Sequence, residues 1–248
     1  MSRLGIIDWG IGGVSIYKLV KMRMPGVAVT YFSDTGVTPY GKMGRRDLAT
    51  RLDTVIEFLK GRGVTHIVIG CNAASTVIHD LRDHGVPILG MIEPAIRMTS
   101  KIRSRRLGLI GGRRTVVSGV HRRAFADRGI AVRQRIAQPL SALIESGDVS
   151  SDQLRSEVRR ILEPLRNCSH ILLACTHYPA VLPVLQAAVP NIRFLDPAEE
   201  VVNALGRQNI ERDGGADEFL TTGDPRAMKK AASNAFGVKI VSAVKVAL

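Results

Sequence analysis

Cysteine, aromatic residues and long apolar runs are all scarce in this sequence. Its 248 residues include three cysteines, Cys71, Cys168 and Cys175, which are too few for a disulfide framework, so we expect free thiols. No C-x-x-C motif and no cysteine–histidine pair at zinc spacing is present, so we predict no structural metal. Aromatic residues make up only 4% of the chain, which leaves little material for a surface that stacks on nucleic-acid bases.

Membrane-spanning segments and a signal peptide are not indicated either. The sequence has no uninterrupted run of roughly 18 apolar residues, the length that suggests a transmembrane helix. Asp8 breaks the apolar stretch near the N-terminus, so that stretch is unlike the apolar region of a signal peptide. We therefore expect a cytoplasmic protein without a membrane span.

The composition is that of a globular protein with a strong excess of basic residues. Hydrophobic residues make up 45% and charged residues 23%, which is enough apolar material for a sizeable core. The net charge of +13 suits contact with nucleic acid, another acidic macromolecule or an anionic substrate. Because the basic residues are dispersed, we interpret most of this charge as a solvated surface.

Apolar, β-branched runs alternate with helical patterns along the chain. Strands are predicted at residues 4–7, 28–33, 66–70, 107–110, 170–174 and 192–195. Helices are predicted at residues 14–24, 47–60 and 152–166, the last two from apolar residues at helical spacing. This alternation predicts an α/β fold with mainly parallel sheets.

Two pairs of segments repeat within the sequence. RLGIIDWGIGGVS (3–15) aligns with RLGLIGGRRTVVS (106–118), and HIVIGCN (66–72) aligns with HILLACT (170–176) at nearly the same spacing. The repeat predicts two similar, doubly wound α/β domains related by a pseudo-twofold axis. We assign residues 1–95 and about 208–248 to the first domain and residues 96–207 to the second.

The repeat also places a cysteine at the end of one buried strand in each half. Cys71 is followed by Asn72, and Cys175 is followed by Thr176. Ligands of parallel α/β sheets bind beyond the carboxyl ends of the strands, so two facing halves would hold two thiols across one cleft. One thiolate can remove a proton from one face of a substrate while the other thiol delivers a proton to the opposite face. The sequence therefore predicts racemisation or epimerisation.

Seven motifs in order along the chain carry a family resemblance: DWGIGG (8–13), SDTGVTPYG (33–41), GCNAAS (70–75), IEPA (92–95), IESG (144–147), LACTHYP (173–179) and TTGDP (221–225). Through them the chain resembles the cofactor-independent glutamate racemases of the aspartate/glutamate racemase superfamily. The resemblance implies an enzyme that inverts the α-carbon of glutamate without pyridoxal phosphate and supplies D-glutamate for peptidoglycan. It also implies a small amino-acid substrate, no cofactor and a homodimer.

The same resemblance implies roles for individual residues. Cys71 and Cys175 match the paired acid/base thiols, with Asp8 assisting the first and His177 assisting the second. The carboxylates that match auxiliary acids or bases are Asp34 and Glu145. The substrate-binding positions are Trp9, Pro39, Tyr40, Gly41, Asn72, Ala73, Thr115 and Thr176.

Three positions depart from the pattern of that family. Trp9 stands where a serine is usual, and Ala73 and Gly112 stand where threonines are usual. Because three hydroxyls are missing, aspartate or a less polar substrate such as a hydantoin stays open as an alternative to glutamate. Two further alternatives are a catalytically degenerate protein that binds nucleic acid or an acidic partner, and a decarboxylase or isomerase of a small dicarboxylate.

Overall fold

The computed structural model describes residues 2–102, 106–212 and 214–248, in which helices alternate with the strands of two sheets. The strands are β1 (Arg3–Asp8), β2 (Ala28–Ser33), β3 (His66–Ile69), β4 (Ile88–Leu89), β5 (Leu107–Gly111), β6 (Val132–Ile136), β7 (His170–Ala174), β8 (Arg193–Leu195), β9 (Glu218–Thr221) and β10 (Val244–Lys245). The helices are α1 (Val14–Arg23), α2 (Arg45–Lys60), α3 (Asn72–Ser75), α4 (Ile92–Ser100), α5 (Arg113–Val117), α6 (Val120–Ala126), α7 (Gln138–Glu145), α8 (Asp152–Leu162), α9 (Leu182–Ala188), α10 (Ala198–Leu205) and α11 (Pro225–Phe236). Short 3-10 turns cover Ile78–Asp80, Glu163–Leu165 and Tyr178–Val181. Within these described ranges, no helix is long and apolar enough to cross a membrane.

The two sheets have four strands in the same order. The first sheet runs β10-β9-β2-β1-β3-β4 and the second runs β6-β5-β7-β8, with every pair parallel. The order β2-β1-β3-β4 in the first sheet is therefore the order of the whole second sheet. The predicted fold class, two similar α/β halves with parallel sheets, is confirmed. Strands β9 and β10 extend the first sheet beyond β2.

Each of the six predicted strands forms, and four further strands were missed. The missed strands are β4, β6, β9 and β10. Strands β4 and β10 contain two residues each, which is too short for a periodic signal. Strand β6 lies at the edge of its sheet, and Arg133 and Arg135 interrupt its apolar pattern.

The predicted helices are correct except at one end. Helix α1 forms within residues 14–24, and α2 covers residues 47–60 with its apolar face buried. The prediction of a helix over 152–166 is wrong at its C-terminal end, because α8 ends at Leu162 and a 3-10 turn follows. Pro164 explains this end, since proline has no backbone N–H for a continuing helix.

Both faces of each sheet are covered by apolar side chains. In β1, Ile6 packs into one core cluster and the adjacent Ile7 packs into another. In β5, Leu109 and Ile110 divide between two clusters in the same way. With both faces buried, the strand ends are the part of each sheet that is left to contact a ligand.

Candidate active site

The carboxyl ends of β1, β3 and β7 meet at one cleft between the two halves. Asp8 is the last residue of β1, Cys71 follows β3 after Gly70, and Cys175 follows β7 directly. The hydroxyl of Thr176 donates a hydrogen bond of 3.3 Å to Oδ2 of Asp8, which joins the two halves at this point. The structure therefore brings the predicted strand-end residues of both halves together.

Cys71 lies at the N-terminus of α3 with an extended backbone. Burial is the main cause that raises the pKa of its thiol, and the negative charge of Asp8 raises that pKa further. Hydrogen bonds from the backbone N–H groups of Ala73 and Ala74 act in the opposite direction but do not compensate. A negative charge on Cys175 also raises the pKa of Cys71. Cys71 is therefore a protonated thiol at neutral pH.

Cys175 has a different set of neighbours. Its Sγ lies 3.6 Å from Nδ1 of His177, and Nε2 of the same ring lies 2.6 Å from Oε2 of Glu145. Burial lowers the pKa of His177, but the hydrogen bonds with Cys175 and Glu145 outweigh burial and hold that pKa well above its ordinary value. The imidazole is therefore protonated at neutral pH and places a cation beside the sulfur of Cys175.

Asp8 is fully buried and accepts hydrogen bonds on both carboxylate oxygens. Oδ1 accepts from the backbone N–H of Trp9 at 2.6 Å, and Oδ2 accepts from the backbone N–H of Gly13 at the start of α1. Burial raises the pKa of Asp8, while the charge of His177 lowers it. Asp8 thus supports the beginning of α1, and its carboxyl group also acts on the thiol of Cys71.

The glycines after Asp8 allow the first half to approach the second. A Cβ atom on Gly12 would lie 2.5 Å from Oγ1 of Thr176, and one on Gly10 would overlap the carboxylate of Glu145. Between them, the backbone N–H of Ile11 donates to Oε2 of Glu145 at 3.0 Å. The glycine-rich loop therefore serves close packing against Glu145 and Thr176.

Asp34 is fully buried, and all its side-chain contacts are with groups of the first half. Arg51 donates to it from Nε at 2.8 Å and from Nη2 at 2.7 Å, so the pair is bidentate. The hydroxyls of Tyr40 and Thr222 each donate a further hydrogen bond of 2.8 Å. Asp34 thereby connects the loop that carries Tyr40 to the segment after β9.

Trp9 is half-buried on the first half of the cleft. Its indole N–H donates to the carbonyl oxygen of Val37 at 3.0 Å. Its ring packs against the same apolar cluster as Cys71 and Ala73. The tryptophan is therefore fixed to the loop after β2.

Asn72 is the polar group of the cleft that most clearly lacks a partner. It is 3% exposed, and neither atom of its side-chain amide is hydrogen-bonded within the part of the chain that the structure describes. A buried amide without partners is costly, so this one indicates a ligand that would complete its hydrogen bonds. The predicted residues Thr115 and Thr176 are also buried. Pro39 and Gly41 flank Tyr40 in the loop before α2.

Two residues of the site were not predicted from the sequence. Arg114 of α5 reaches the first half, donating from Nε to the hydroxyl of Thr76 at 3.0 Å and from Nη1 to the carbonyl of Met43 at 2.6 Å. Ser141 of α7 places Oγ 3.4 Å from Sγ of Cys175. A signal for Ser141 exists, since it precedes Glu145 by one helical turn and so shares its face. No sequence signal separates Arg114 from the other basic residues.

All three cysteines of the chain are free thiols. Within residues 2–102, 106–212 and 214–248, no group of three or more His, Cys, Asp or Glu side chains could hold a metal ion. Cys168 is buried and precedes β7, at the end of the strand opposite Cys175. Cys168 therefore lies away from the cleft.

Known proteins are similar to this chain in both sequence and fold. The family model described as Asp/Glu/Hydantoin racemase matches residues 4–205. A glutamate racemase of Desulforudis audaxviator is 34% identical over 225 residues, which cover 86% of this chain and 81% of the relative. A glutamate racemase of Carboxydothermus hydrogenoformans is 30% identical over 261 residues, covering 99% and 96% of the two chains. The crystal structure of glutamate racemase from Thermus thermophilus in complex with β-chloro-D-alanine superposes with a TM-score of 0.87 at 29% identity, covering 100% of this chain and 97% of the other. The chain therefore belongs to the Asp/Glu/Hydantoin racemase family.

Proposed function

We propose that this protein is a glutamate racemase that interconverts L- and D-glutamate without a cofactor, by proton transfer between Cα and two thiols. The observation that carries the proposal is the unlike surroundings of two strand-end cysteines in one cleft. Cys71 is held as a thiol, whereas Cys175 lies beside the protonated imidazole of His177. One acid and one base facing the same substrate are what inversion of a carbon centre requires.

In the proposed reaction, the thiolate of Cys175 removes the α-proton from one face of the amino acid. The electron pair left on Cα is delocalised into the carboxylate, and Cys71 delivers its proton to the opposite face. The reaction leaves Cys175 as a thiol and Cys71 as a thiolate, which is the starting state for the reverse reaction. His177 stabilises the thiolate of Cys175, and Glu145 holds the imidazole in place.

The polar groups of the cleft fit the charged ends of an acidic amino acid. The unpaired amide of Asn72 is adjacent in sequence to Cys71, and the buried Thr176 is adjacent to Cys175. Arg114 donates to Thr76, at the end of the short helix that Cys71 begins, and a negative charge on Cys71 raises the pKa of Arg114 against the effects of burial and Arg45. A cation at this position favours a substrate with a second carboxylate. We assign Asp34 to positioning the loop that carries Tyr40, because Arg51, Tyr40 and Thr222 occupy its carboxylate.

We further propose that the product D-glutamate is used in peptidoglycan synthesis, that the reaction takes place in the cytoplasm and that the protein is a homodimer. These proposals are supported by the resemblance to glutamate racemases. Nucleic acid remains a less favoured partner, since the excess of basic residues is its main support.

Hydrogen–deuterium exchange at Cα tests the proposed reaction. Purified protein is incubated in D₂O with L- or D-glutamate and with L- or D-aspartate, without added cofactor, and followed by NMR and by optical purity. We expect exchange and racemisation of both enantiomers of glutamate. Exchange of aspartate alone would contradict glutamate as the substrate, whereas the proposed proton transfer between Cα and two thiols would still hold. No exchange of any of the four would contradict the racemase.

A further inference from the structure

Ser141 lies between Cys175 and Tyr178, whose hydroxyl proton is already donated to a backbone carbonyl. Its Oγ is 3.4 Å from Sγ of Cys175 and 3.5 Å from the hydroxyl of Tyr178. The hydroxyl of Tyr178 donates to the carbonyl oxygen of Ala137 at 3.0 Å. The phenol oxygen is therefore left as an acceptor for Ser141, and the serine proton has two neighbouring acceptors.

A serine hydroxyl has one proton and free lone pairs, so it can donate and accept at the same time. When Cys175 is a thiolate, Ser141 can donate its proton to the sulfur. When Cys175 is a thiol, the S–H group can donate to Oγ while the serine proton turns toward Tyr178. Both protonation states of the sulfur are then hydrogen-bonded, and only a hydroxyl proton has to rotate.

His177, the cationic neighbour of Cys175, does not have this freedom. A protonated His177 has only N–H donors, one facing Cys175 and one facing Glu145, so it can donate to the sulfur but cannot accept from an S–H group. Around Cys71, the sulfur accepts from the backbone N–H groups of Ala73 and Ala74, which are also donors only. The hydroxyl of Tyr178 also interacts with Cys175, but its proton is donated to the carbonyl of Ala137, so Ser141 is the neighbour whose hydroxyl proton can turn between two acceptors.

We propose that Ser141 is a positioning residue that allows Cys175 to alternate between thiolate and thiol within one catalytic cycle, by donating a hydrogen bond to the first and accepting one from the second. This inference rests on the proposed two-thiol reaction. The role of Ser141 at the sulfur can nevertheless be measured without turnover, which separates the two proposals.

The donor role is tested by the alkylation of Cys175 with iodoacetamide as a function of pH, followed by mass spectrometry of the peptides. In Ser141→Ala we expect alkylation near neutral pH to be roughly three- to tenfold slower, since a hydrogen bond to the thiolate is lost. The profile should move to higher pH. Ser141→Thr retains the hydroxyl and should keep the wild-type profile. Ser146→Ala is the matched control, because its exposed Oγ bonds the carbonyl of Leu143.

The acceptor role is tested by the infrared S–H stretch at acidic pH. With Cys71 and Cys168 replaced by alanine, the band reports Cys175 alone, and it should move to higher frequency when Ser141→Ala is added. An unchanged band, or an alkylation profile equal to that of the wild type, would overturn the inference. If the wild type does not racemise glutamate but both changes occur, the proposed function fails and the role of Ser141 stands.

Racemisation gives a third readout. Because the equilibrium constant of a racemisation is one, kcat/KM in the two directions must fall together. In Ser141→Ala we expect a fall of about tenfold in both, restored by Ser141→Thr. Full activity in Ser141→Ala would contradict a role in the catalytic cycle.

Discussion

The two thiols stand at equivalent ends of equivalent strands, yet their surroundings differ. Cys71 follows the strand next to β1 and is surrounded by backbone N–H groups and Asp8. Cys175 follows the strand next to β5. Its neighbours are the hydroxyl of Ser141 and the imidazole of His177, whose other nitrogen contacts Glu145. The repeated sheet therefore places the sulfurs at equivalent positions, and residues outside the repeat give them different neighbours.

The two halves also differ at the ends of β2 and β6, the strands on the other side of β1 and β5. The backbone N–H of Asp34 donates to the carbonyl of Asp8 at 3.0 Å, and that of Ala137 donates to the carbonyl of Gly111 at 2.8 Å, so Asp34 and Ala137 are equivalent positions. Each accepts a tyrosine hydroxyl: Tyr40 bonds the carboxylate of Asp34, and Tyr178 bonds the backbone carbonyl of Ala137. Only the first half requires a buried charge for this contact, and Arg51 neutralises it.

The largest expected effect is the loss of either thiol. We expect Cys71→Ala and Cys175→Ala each to reduce racemisation by at least about a thousandfold, since each removes an acid or base in one direction. Cys168→Ala is the matched control and should remain active. Racemisation at wild-type rate in either active-site variant would refute the two-thiol reaction.

Glu145→Gln removes the charge that sustains the imidazolium. The pKa of His177 should fall toward its ordinary value, because the carboxylate is one of the groups that hold it up. Racemisation needs the protonated ring, so kcat/KM should decline from a lower pH than in the wild type and by about tenfold near neutrality. Glu157→Gln, which breaks only the surface pair with Arg160, should leave the profile unchanged. A pH profile unchanged in Glu145→Gln would contradict this role.

Arg114→Ala should raise KM for glutamate by about tenfold with little change in kcat, if the guanidinium binds the second carboxylate. The adjacent Arg113 is exposed and provides the matched control. Steady-state kinetics in both directions measure the effect. An equal loss with an amino acid that has no side-chain carboxylate would assign Arg114 to holding the two halves together instead.

The smallest effect on activity is expected at Asp34. Asp34→Asn leaves Arg51 without its buried partner and should lower the free energy of unfolding by about 3 kcal/mol, with turnover retained while the protein is folded. Asp80→Asn removes the exposed bidentate pair with Arg45 and should cost less than about 1 kcal/mol. Denaturant unfolding compares the two. Loss of turnover in Asp34→Asn without loss of stability would instead support an acid/base role.

The parts of the fold that sequence reasoning found are those with strong, local signals. Strands β1, β3, β5 and β7 are buried, and they carry the internal repeat, so their existence and their division between two similar halves could be predicted. The edge strands β4, β6 and β10 are short or interrupted by charge, and their pairing depends on the neighbouring strand.

The residues of the site also divide into those with a local sequence signal and those without one. Cys71, Cys175, Asp8 and His177 were predicted because motifs mark them, and the structure brings them to one cleft. The contacts that Asp34 makes with Thr222 and Arg114 makes with Thr76 join elements that are distant in the chain, so no local pattern could reveal them. Ser141 has one local signal, its helical spacing from Glu145, but that spacing does not reveal its contact with Cys175. The hydrogen bond between Trp9 and Val37 belongs to this second group.

The most direct test of the account uses the single-thiol variants with a glutamate analogue that carries chloride at Cβ. Removal of the α-proton expels chloride and gives a dehydroamino acid, so one thiolate alone can complete the reaction. We predict that Cys71→Ala and Cys175→Ala eliminate chloride from opposite enantiomers. We also predict that Cys175→Ala needs a higher pH, because the pKa of its remaining thiol, Cys71, is raised. Elimination from the same enantiomer by both variants would contradict two thiols on opposite faces of the substrate.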